Sequence, residues 1–329
     1  MSAAVGVIGI GNWGTALANY LAIRGHKVVG WTREKSWVSS INETHHHPTF
    51  LKDVKLCPDF RATSDLPEVL CAPVILLCVP AAALASIAPP LKGRASSLVV
   101  SAIKGFEDKT NLTPTQFLKL ESSIVRNVVF SGPSFAKDIV RGRPAGIVAA
   151  SNSESDAKIV AELFSGGTMK VYLSDDPLGV EIGGAVKNVI ALAAGVCDGL
   201  SLGDSARAGL ITRGLAEMMR LAQAMGGKRE TLSGLSGLGD LIMTATCDAS
   251  RNRTAGLLLS KGTSLSEVLQ TIGSAVEGVH TTPIVAALAA RHNIDMPITL
   301  EMNRLLKGEI SPEDAVIRLL SRPIRREES

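Results

Sequence analysis

One stretch constrains this chain more than any other: Val5-Gly-Val-Ile-Gly9-Ile-Gly11-Asn-Trp-Gly14. A short apolar run ends in glycines spaced G-x-G-x-x-G, and a helix-forming stretch, TALANYLAIRGH, follows at once. Such a triplet alone is weak, but between a strand and a helix it has a specific physics. Gly9 permits the tight turn, Gly11 lets backbone N–H groups approach a pyrophosphate, and Gly14 lets helix and strand pack closely. The helix N-terminus adds a dipole that favours an anion. The stretch predicts a dinucleotide-binding fold; a purely structural glycine turn is the rival reading.

The next predicted strand ends Trp31-Thr-Arg33-Glu34-Lys35. An acid at that place holds the ribose 2′-hydroxyl of NAD(H). Arg33 stands there instead, and a guanidinium suits a 2′-phosphate. NADP(H) is the expected cofactor, with NAD(H) left open because Glu34 is adjacent. The basic strand end also argues against a methyltransferase, whose cofactor sugar needs an acid there.

Strands are predicted at 5–9, 26–32, 74–79, 97–103, 127–132, 145–150 and 169–173. Their continuous apolar runs suit a parallel sheet buried on both faces. After about Asp176 the strands stop, and helices are predicted over 178–199, 204–225, 251–261, 279–292, 297–307 and 311–321. This change of texture predicts α/β followed by all-α. Residues 1–180 are expected to form a Rossmann-type, dinucleotide-binding domain with a mostly parallel sheet, and 181–329 a helical domain. With 329 residues, 46% of them hydrophobic, the chain has material for two cores. The apolar stretch 69–90 is nearly long enough to cross a bilayer, but Pro73, Pro80 and a Pro-Pro end break it. A short buried strand closed by Pro80 is expected there.

The balance of 34 basic against 31 acidic residues speaks against nucleic-acid binding by bulk charge. Five cysteines, scattered and never spaced C-x-x-C, indicate neither a disulfide framework nor a zinc site. No basic leader precedes the first apolar run, so a cytoplasmic protein without membrane insertion is expected. The run His45-His-His47 cannot easily turn three rings onto one ion, so it reads as a solvated loop rather than a metal site.

Three further segments carry candidate chemistry. In Glu181-Ile-Gly-Gly-Ala-Val-Lys187-Asn, Lys187 is the single ionisable charge between Ile182 and Cys197. A snorkelling lysine is the plain reading, yet it needs a solvent edge and Lys187 lies mid-segment. Ser131-Gly132-Pro-Ser134-Phe-Ala136-Lys follows a strand and turns sharply, either as a ligand-facing helix start or as an ordinary capped turn. Ser250 is a good N-cap, and Arg251 in the first turn opposes the helix dipole unless an anion docks there. Ser250, Arg251 and Asn252 thus make a candidate phosphate seat, with a plain surface arginine as the rival.

The motifs GIGNWGTALA, SAIKG, SGPSFAKDI, EIGGAVKNVIALAAG, GLSGLGDLIMTAT and SRNR occur in this order. Together they resemble the bacterial NAD(P)-dependent glycerol-3-phosphate dehydrogenase family over about residues 5–320. The resemblance implies reversible reduction of dihydroxyacetone phosphate to sn-glycerol 3-phosphate for phospholipid synthesis, in a homodimer. It also implies that the helical domain, 181–329, binds the substrate, and it implies roles for single residues. Lys187 is the proton donor and acceptor, and Lys104 touches cofactor and substrate. Gly132, Ser134, Asp240, Ser250, Arg251 and Asn252 hold the substrate. Asn12, Trp13, Arg33, Ala136, Arg251, Ala275 and Glu277 line the cofactor beside the Gly9, Gly11 and Gly14 turn. The segment after Lys104, EDKTNLTPTQFLKLE, departs from the family's pattern, as does the histidine run.

Ketone reduction needs a hydride from the cofactor and a proton for the developing alkoxide. Burial of Lys187 among Gly183, Gly184, Ala185, Ile190 and Ala191, with Lys104 as a second cation, favours release of its proton. Gly183 and Gly184 are expected to let substrate approach the helix closely, and Asp240 to position the ammonium or a substrate hydroxyl. The runner-up is a related β-hydroxyacid dehydrogenase, which would not need the phosphate seat. A non-catalytic nicotinamide sensor would need neither Lys187, Lys104 and Asp240 nor Arg251.

Overall fold

The apolar runs of the first half form one eight-stranded sheet: β1 Ala4–Ile8, β2 Lys27–Trp31, β3 Phe60–Thr63, β4 Val74–Leu77, β5 Leu98–Ser101, β6 Asn127–Ser131, β7 Ala145–Ala150 and β8 Met169–Ser174. The structure, a computed structural model, describes residues 4–94, 96–324, 326 and 327. Strand order is 3-2-1-4-5-6-7-8, and every pairing is parallel except β6 with β7. Alternate residues feed two cores. Val5, Val7, Val74, Leu76, Leu98 and Val100 pack on one face, and Ile8, Ile75, Leu77 and Val99 on the other. Burial on both faces is why these strands read as unbroken apolar runs. The strand order reverses between β1 and β4, the place where ligands bind in open α/β sheets.

One strand escaped the sequence reading. β3 is four residues long with Arg61 exposed, and tertiary partners define it. It pairs with β2 on one side, while Asn42 accepts from Ala62 N at 2.8 Å and donates to Ala62 O at 3.0 Å. Residues 69–90 hold β4 followed by short helical turns, with Pro80 just beyond the strand. In the divergent segment after Lys104, Glu107 Oε2 accepts from Lys109 N, Thr110 N and Thr110 Oγ1. The helix Pro114–Ser122 that follows buries Phe117 and Leu118.

Contacts divide the chain into two compact units, Met1–Glu181 and Ile182–Ser329. The second has no strand among its described residues. Its central element is the helix Pro177–Gly199, which begins before the division. Every residue from Gly179 to Cys197 is buried. This helix is long and apolar enough to cross a membrane, but its apolar window lies wholly inside the protein. It meets helix Arg251–Leu259 backbone to backbone. A Cβ on Gly195 would lie 2.0 Å from Arg253 O, and one on Gly256 would lie 2.1 Å from Leu192 O. The helices Asp204–Ala224, Glu277–Arg291, Pro297–Leu306 and Pro312–Leu320 match predicted segments. The helices Asp240–Thr246 and Leu265–Ile272 were not predicted. The first follows a π-helical turn, Leu235–Gly239, whose glycines disguise a helical period.

Candidate functional site

In the first unit, the turn after β1 has the geometry an anion needs. Gly9 sits at φ +94°, and a Cβ on Gly14 would lie 2.0 Å from Gly9 O. The N–H groups of Gly9 and Ile10 both donate to Trp31 O, at 3.1 and 3.3 Å. Gly11 N–H has no acceptor among the described residues, and a Cβ there would meet nothing closer than Phe50 at 3.9 Å. Gly11 caps the helix Asn12–Ile23, which exposes Asn12 at its start. The Trp13 indole N–H is buried without a partner. An open cradle, an unmatched amide and an orphaned indole donor fit a dinucleotide at this turn. Arg33 is exposed one residue beyond Thr32, past the end of β2.

Lys104, Gly132 and Ser134 come together beyond the carboxyl ends of β5 and β6. Lys104 Nζ donates to Gly132 O at 3.4 Å, and Ser134 Oγ donates to the same oxygen at 3.1 Å. Ala136 is buried and opens the short helix Ala136–Val140. The histidine run differs from the expectation of a solvated loop. His45 and His46 are partly exposed, but His47 is 1% exposed, its ring held by backbone groups and packed against Trp37. Among the described residues no group of three His, Cys, Asp or Glu side chains is placed to hold a metal.

In the second unit, Lys187 and Asp240 meet. Lys187 Nζ donates to Asp240 Oδ1 at 2.5 Å and to Thr244 Oγ1 at 2.9 Å. Lys187 is 5% exposed and Asp240 fully buried, so the lysine does not snorkel. The opposing carboxylate favours the ammonium form and counters the desolvation that composition alone emphasises. Thr244 also donates to Asp240 O at 2.6 Å, which locks the acid one helical turn away. Sequence reading missed Thr244, although the spacing Asp240 to Thr244 puts both on one helix face. Gly183 corrects another expectation. A Cβ there would lie 2.6 Å from Ser236 O, so the close approach it permits is taken by the π-helical turn and not by substrate.

Ser250 caps helix Arg251–Leu259, accepting from Arg253 N at 3.3 Å. Arg251 is exposed at the helix start, beside first-turn N–H groups that lack intrahelical partners. The Asn252 side chain is turned inward. Its Nδ2 donates to Asn188 Oδ1 at 2.9 Å and its Oδ1 accepts from Gly278 N at 2.8 Å. Asn252 therefore ties three helices together, including Glu277–Arg291, and brings Glu277 near the seat; Ala275 is exposed just before that helix. Asn188, the residue after Lys187, is a further member the sequence reading did not single out. A separate apolar cavity of about 460 Å³ in this unit touches none of the predicted site residues.

Comparison with known proteins agrees along nearly the whole chain. Residues 4–157 match the family profile described as NAD-dependent glycerol-3-phosphate dehydrogenase N-terminus, and residues 176–317 match its C-terminus. The chain is 42% identical over 325 residues to a glycerol-3-phosphate dehydrogenase (NAD(P)+) of Parvibaculum lavamentivorans, covering 98% of each. It is 44% identical over 326 residues to the enzyme of the same name from Moorella thermoacetica, covering 98% of this chain and 97% of that one. A crystal structure of glycerol-3-phosphate dehydrogenase from Coxiella burnetii superposes with a TM-score of 0.93 at 39% identity, covering 98% and 99% of the two chains. With both halves matched and nearly the full length shared, the chain belongs to the NAD-dependent glycerol-3-phosphate dehydrogenase family.

Proposed function

We propose that this protein reduces dihydroxyacetone phosphate to sn-glycerol 3-phosphate with NAD(P)H, reversibly, and so supplies the backbone for glycerophospholipids. The buried Lys187–Asp240–Thr244 group carries this reading, because an ammonium fixed by two partners in a dry site is a proton donor held in one geometry. The bound nicotinamide supplies the hydride. Lys187 gives its proton to the oxygen at C2 in reduction and takes it back in oxidation. Asp240 and Thr244 hold the ammonium in place. Ser250, Arg251 and the helix N-terminus receive the phosphate, with Asn252 fixing that helix end. Lys104, Gly132 and Ser134 also contact substrate, and Lys104 contacts the cofactor.

The first unit is the dinucleotide-binding domain and the second the substrate-binding domain. Gly9, Gly11, Asn12, Trp13, Gly14 and Ala136 line the cofactor, with Arg251, Ala275 and Glu277 in the second unit. Arg33 favours NADP(H) by pairing with the 2′-phosphate, and NAD(H) is also used. The cysteines of the described structure are all free, in keeping with a cytoplasmic enzyme. A homodimer follows from the family resemblance alone, and sedimentation of the full chain tests it. The decisive assay follows NADPH absorbance with dihydroxyacetone phosphate added. Oxidation dependent on that substrate is expected; activity with a simple hydroxy acid or glycerol equal to that with glycerol 3-phosphate would overturn the assignment.

A further inference from the structure

The three-histidine run contains one residue that the proposed chemistry leaves unused yet the fold buries. His47 Nδ1 accepts from two backbone amides, Thr49 N at 3.1 Å and Phe50 N at 3.0 Å. A nitrogen that accepts twice carries no proton, so the ring's hydrogen is on Nε2. That nitrogen lies 3.0 Å from Ile10 O and donates to it. Trp37 packs edge-on against the ring at 4.5 Å between centroids, which leaves it one orientation. Burial holds the imidazole below the usual histidine value, in keeping with a neutral ring.

The acceptor matters more than the bond. Ile10 is the residue between Gly9 and Gly11. Its carbonyl takes a second hydrogen bond from Thr15 Oγ1 at 3.0 Å, so both its lone pairs are used. The chain has no cis peptide bond among its described residues, and across a trans peptide the C=O and the next N–H point in opposite directions. Fixing the Ile10 carbonyl towards His47 and Thr15 therefore aims the Gly11 N–H the other way. That N–H, like those of Asn12, Trp13 and Gly14 at the helix start, has no acceptor among the described residues.

We propose that His47 is a positioning residue for cofactor binding: it locks the Ile10–Gly11 peptide so that the Gly11 N–H stands ready for the dinucleotide pyrophosphate. An unlocked peptide must be ordered at each binding event, a cost that preorganisation removes. The inference rests on the reading of the Gly9–Gly14 turn as the cofactor site. His47 touches no reacting atom, so its effect falls on nucleotide affinity rather than on the chemical step.

Two substitutions separate the halves of the ring's work. Asn places its carboxamide oxygen near the position of Nδ1 and keeps the bonds to Thr49 and Phe50, but it does not reach Ile10. Gln places its amide nitrogen near Nε2 and keeps the donor to Ile10. The experiment measures NADPH Kd by fluorescence titration, KM for NADPH and for dihydroxyacetone phosphate, kcat and Tm for wild type, His47→Asn and His47→Gln. We expect His47→Asn to raise the NADPH Kd and KM about tenfold, the size of one lost hydrogen bond. Its kcat and its KM for dihydroxyacetone phosphate stay within about twofold, since general acid catalysis is untouched. His47→Gln restores most of the nucleotide affinity. The proposal is overturned if both variants lose affinity in step with Tm, which marks simple loop packing, or if His47→Asn binds NADPH as wild type does. Wild type that fails to bind NADPH instead overturns the reading of the turn itself.

Discussion

Lys187 Nζ and Asp240 Oδ1 stand 2.5 Å apart, with side chains 6% and 0% exposed. A buried pair of this kind is weak as a source of stability but costly to break from one side, because the remaining charge has no solvent. The two residues lie 53 positions apart in sequence and on different helices, so their meeting is a product of the fold.

Lys187→Met is expected to lower kcat by about 10³-fold or more, the scale of a lost general acid. NADPH affinity should stay near wild type. The same variant takes the ammonium away from the buried Asp240 carboxylate and loses about 3–5 kcal/mol of stability. Adding Asp240→Asn should recover most of that stability without recovering turnover. Urea unfolding and steady-state assays read the two effects separately, and near-normal turnover in the single variant would sink the role given to Lys187.

Arg33→Ala tests cofactor choice. Arg33 is exposed, so the change should leave the fold intact. A lost charge-assisted contact to a 2′-phosphate should cut kcat/KM for NADPH by about tenfold or more. The value for NADH should change less than about twofold, since NADH has no 2′-phosphate to lose. Equal losses for the two cofactors would remove Arg33 from the phosphate site.

Much of this was legible in the residues, and the gaps have physical causes. The glycine turn and the apolar runs of β1, β4 and β5 announce themselves because local geometry and two-sided burial dictate them. Lys187 was conspicuous as a lone charge, and Asp240 followed from the family resemblance. Thr244 and Asn188 were missed because a threonine or asparagine in a helix has many ordinary uses and only the fold reveals its partner. His47 was misread as solvated because adjacent histidines look polar, whereas Ile10, Thr49 and Phe50 satisfy every ring nitrogen. Gly183 was assigned to the ligand when the π-helical turn occupies the space beside it. β3 was overlooked because Asn42, twenty residues before Ala62 in the sequence, supplies edge bonds that the strand lacks.

The seat at helix Arg251–Leu259 divides into a binding residue and a strut. Arg251→Ala should raise KM for dihydroxyacetone phosphate by about tenfold or more while Tm barely moves, because an exposed guanidinium contributes little to folding. Asn252→Ala should behave differently. It leaves the buried Gly278 N–H without an acceptor and costs about 1–3 kcal/mol. A loss of stability in Arg251→Ala, or none in Asn252→Ala, would reverse these assignments; thermal melts and substrate titrations decide.

Glu181 makes stability depend on pH. The residue is 2% exposed, with Oε1 accepting from Thr115 N at 2.8 Å and Oε2 from Thr115 Oγ1 at 2.7 Å. Burial raises its pKa from 4.5 to about 7, despite those hydrogen bonds. An unfolded chain loses this proton near pH 4.5, while the folded chain keeps it until about pH 7. The folded state therefore holds more protons between those values, so stability is greatest below the unfolded pKa and falls as pH rises, levelling off above the folded one. A shift of this size corresponds to about 3 kcal/mol across the window. Glutamine can accept from Thr115 N and donate to Thr115 Oγ1, so Glu181→Gln keeps both contacts without an ionisable group. Urea unfolding at pH 5 and pH 8 should show a smaller loss in Glu181→Gln than in wild type. The slope that remains belongs partly to Glu217, whose carboxyl is raised to about 7 by the same cause. Equal slopes in the two proteins would mean that Glu181 is already ionised in the folded state at pH 5.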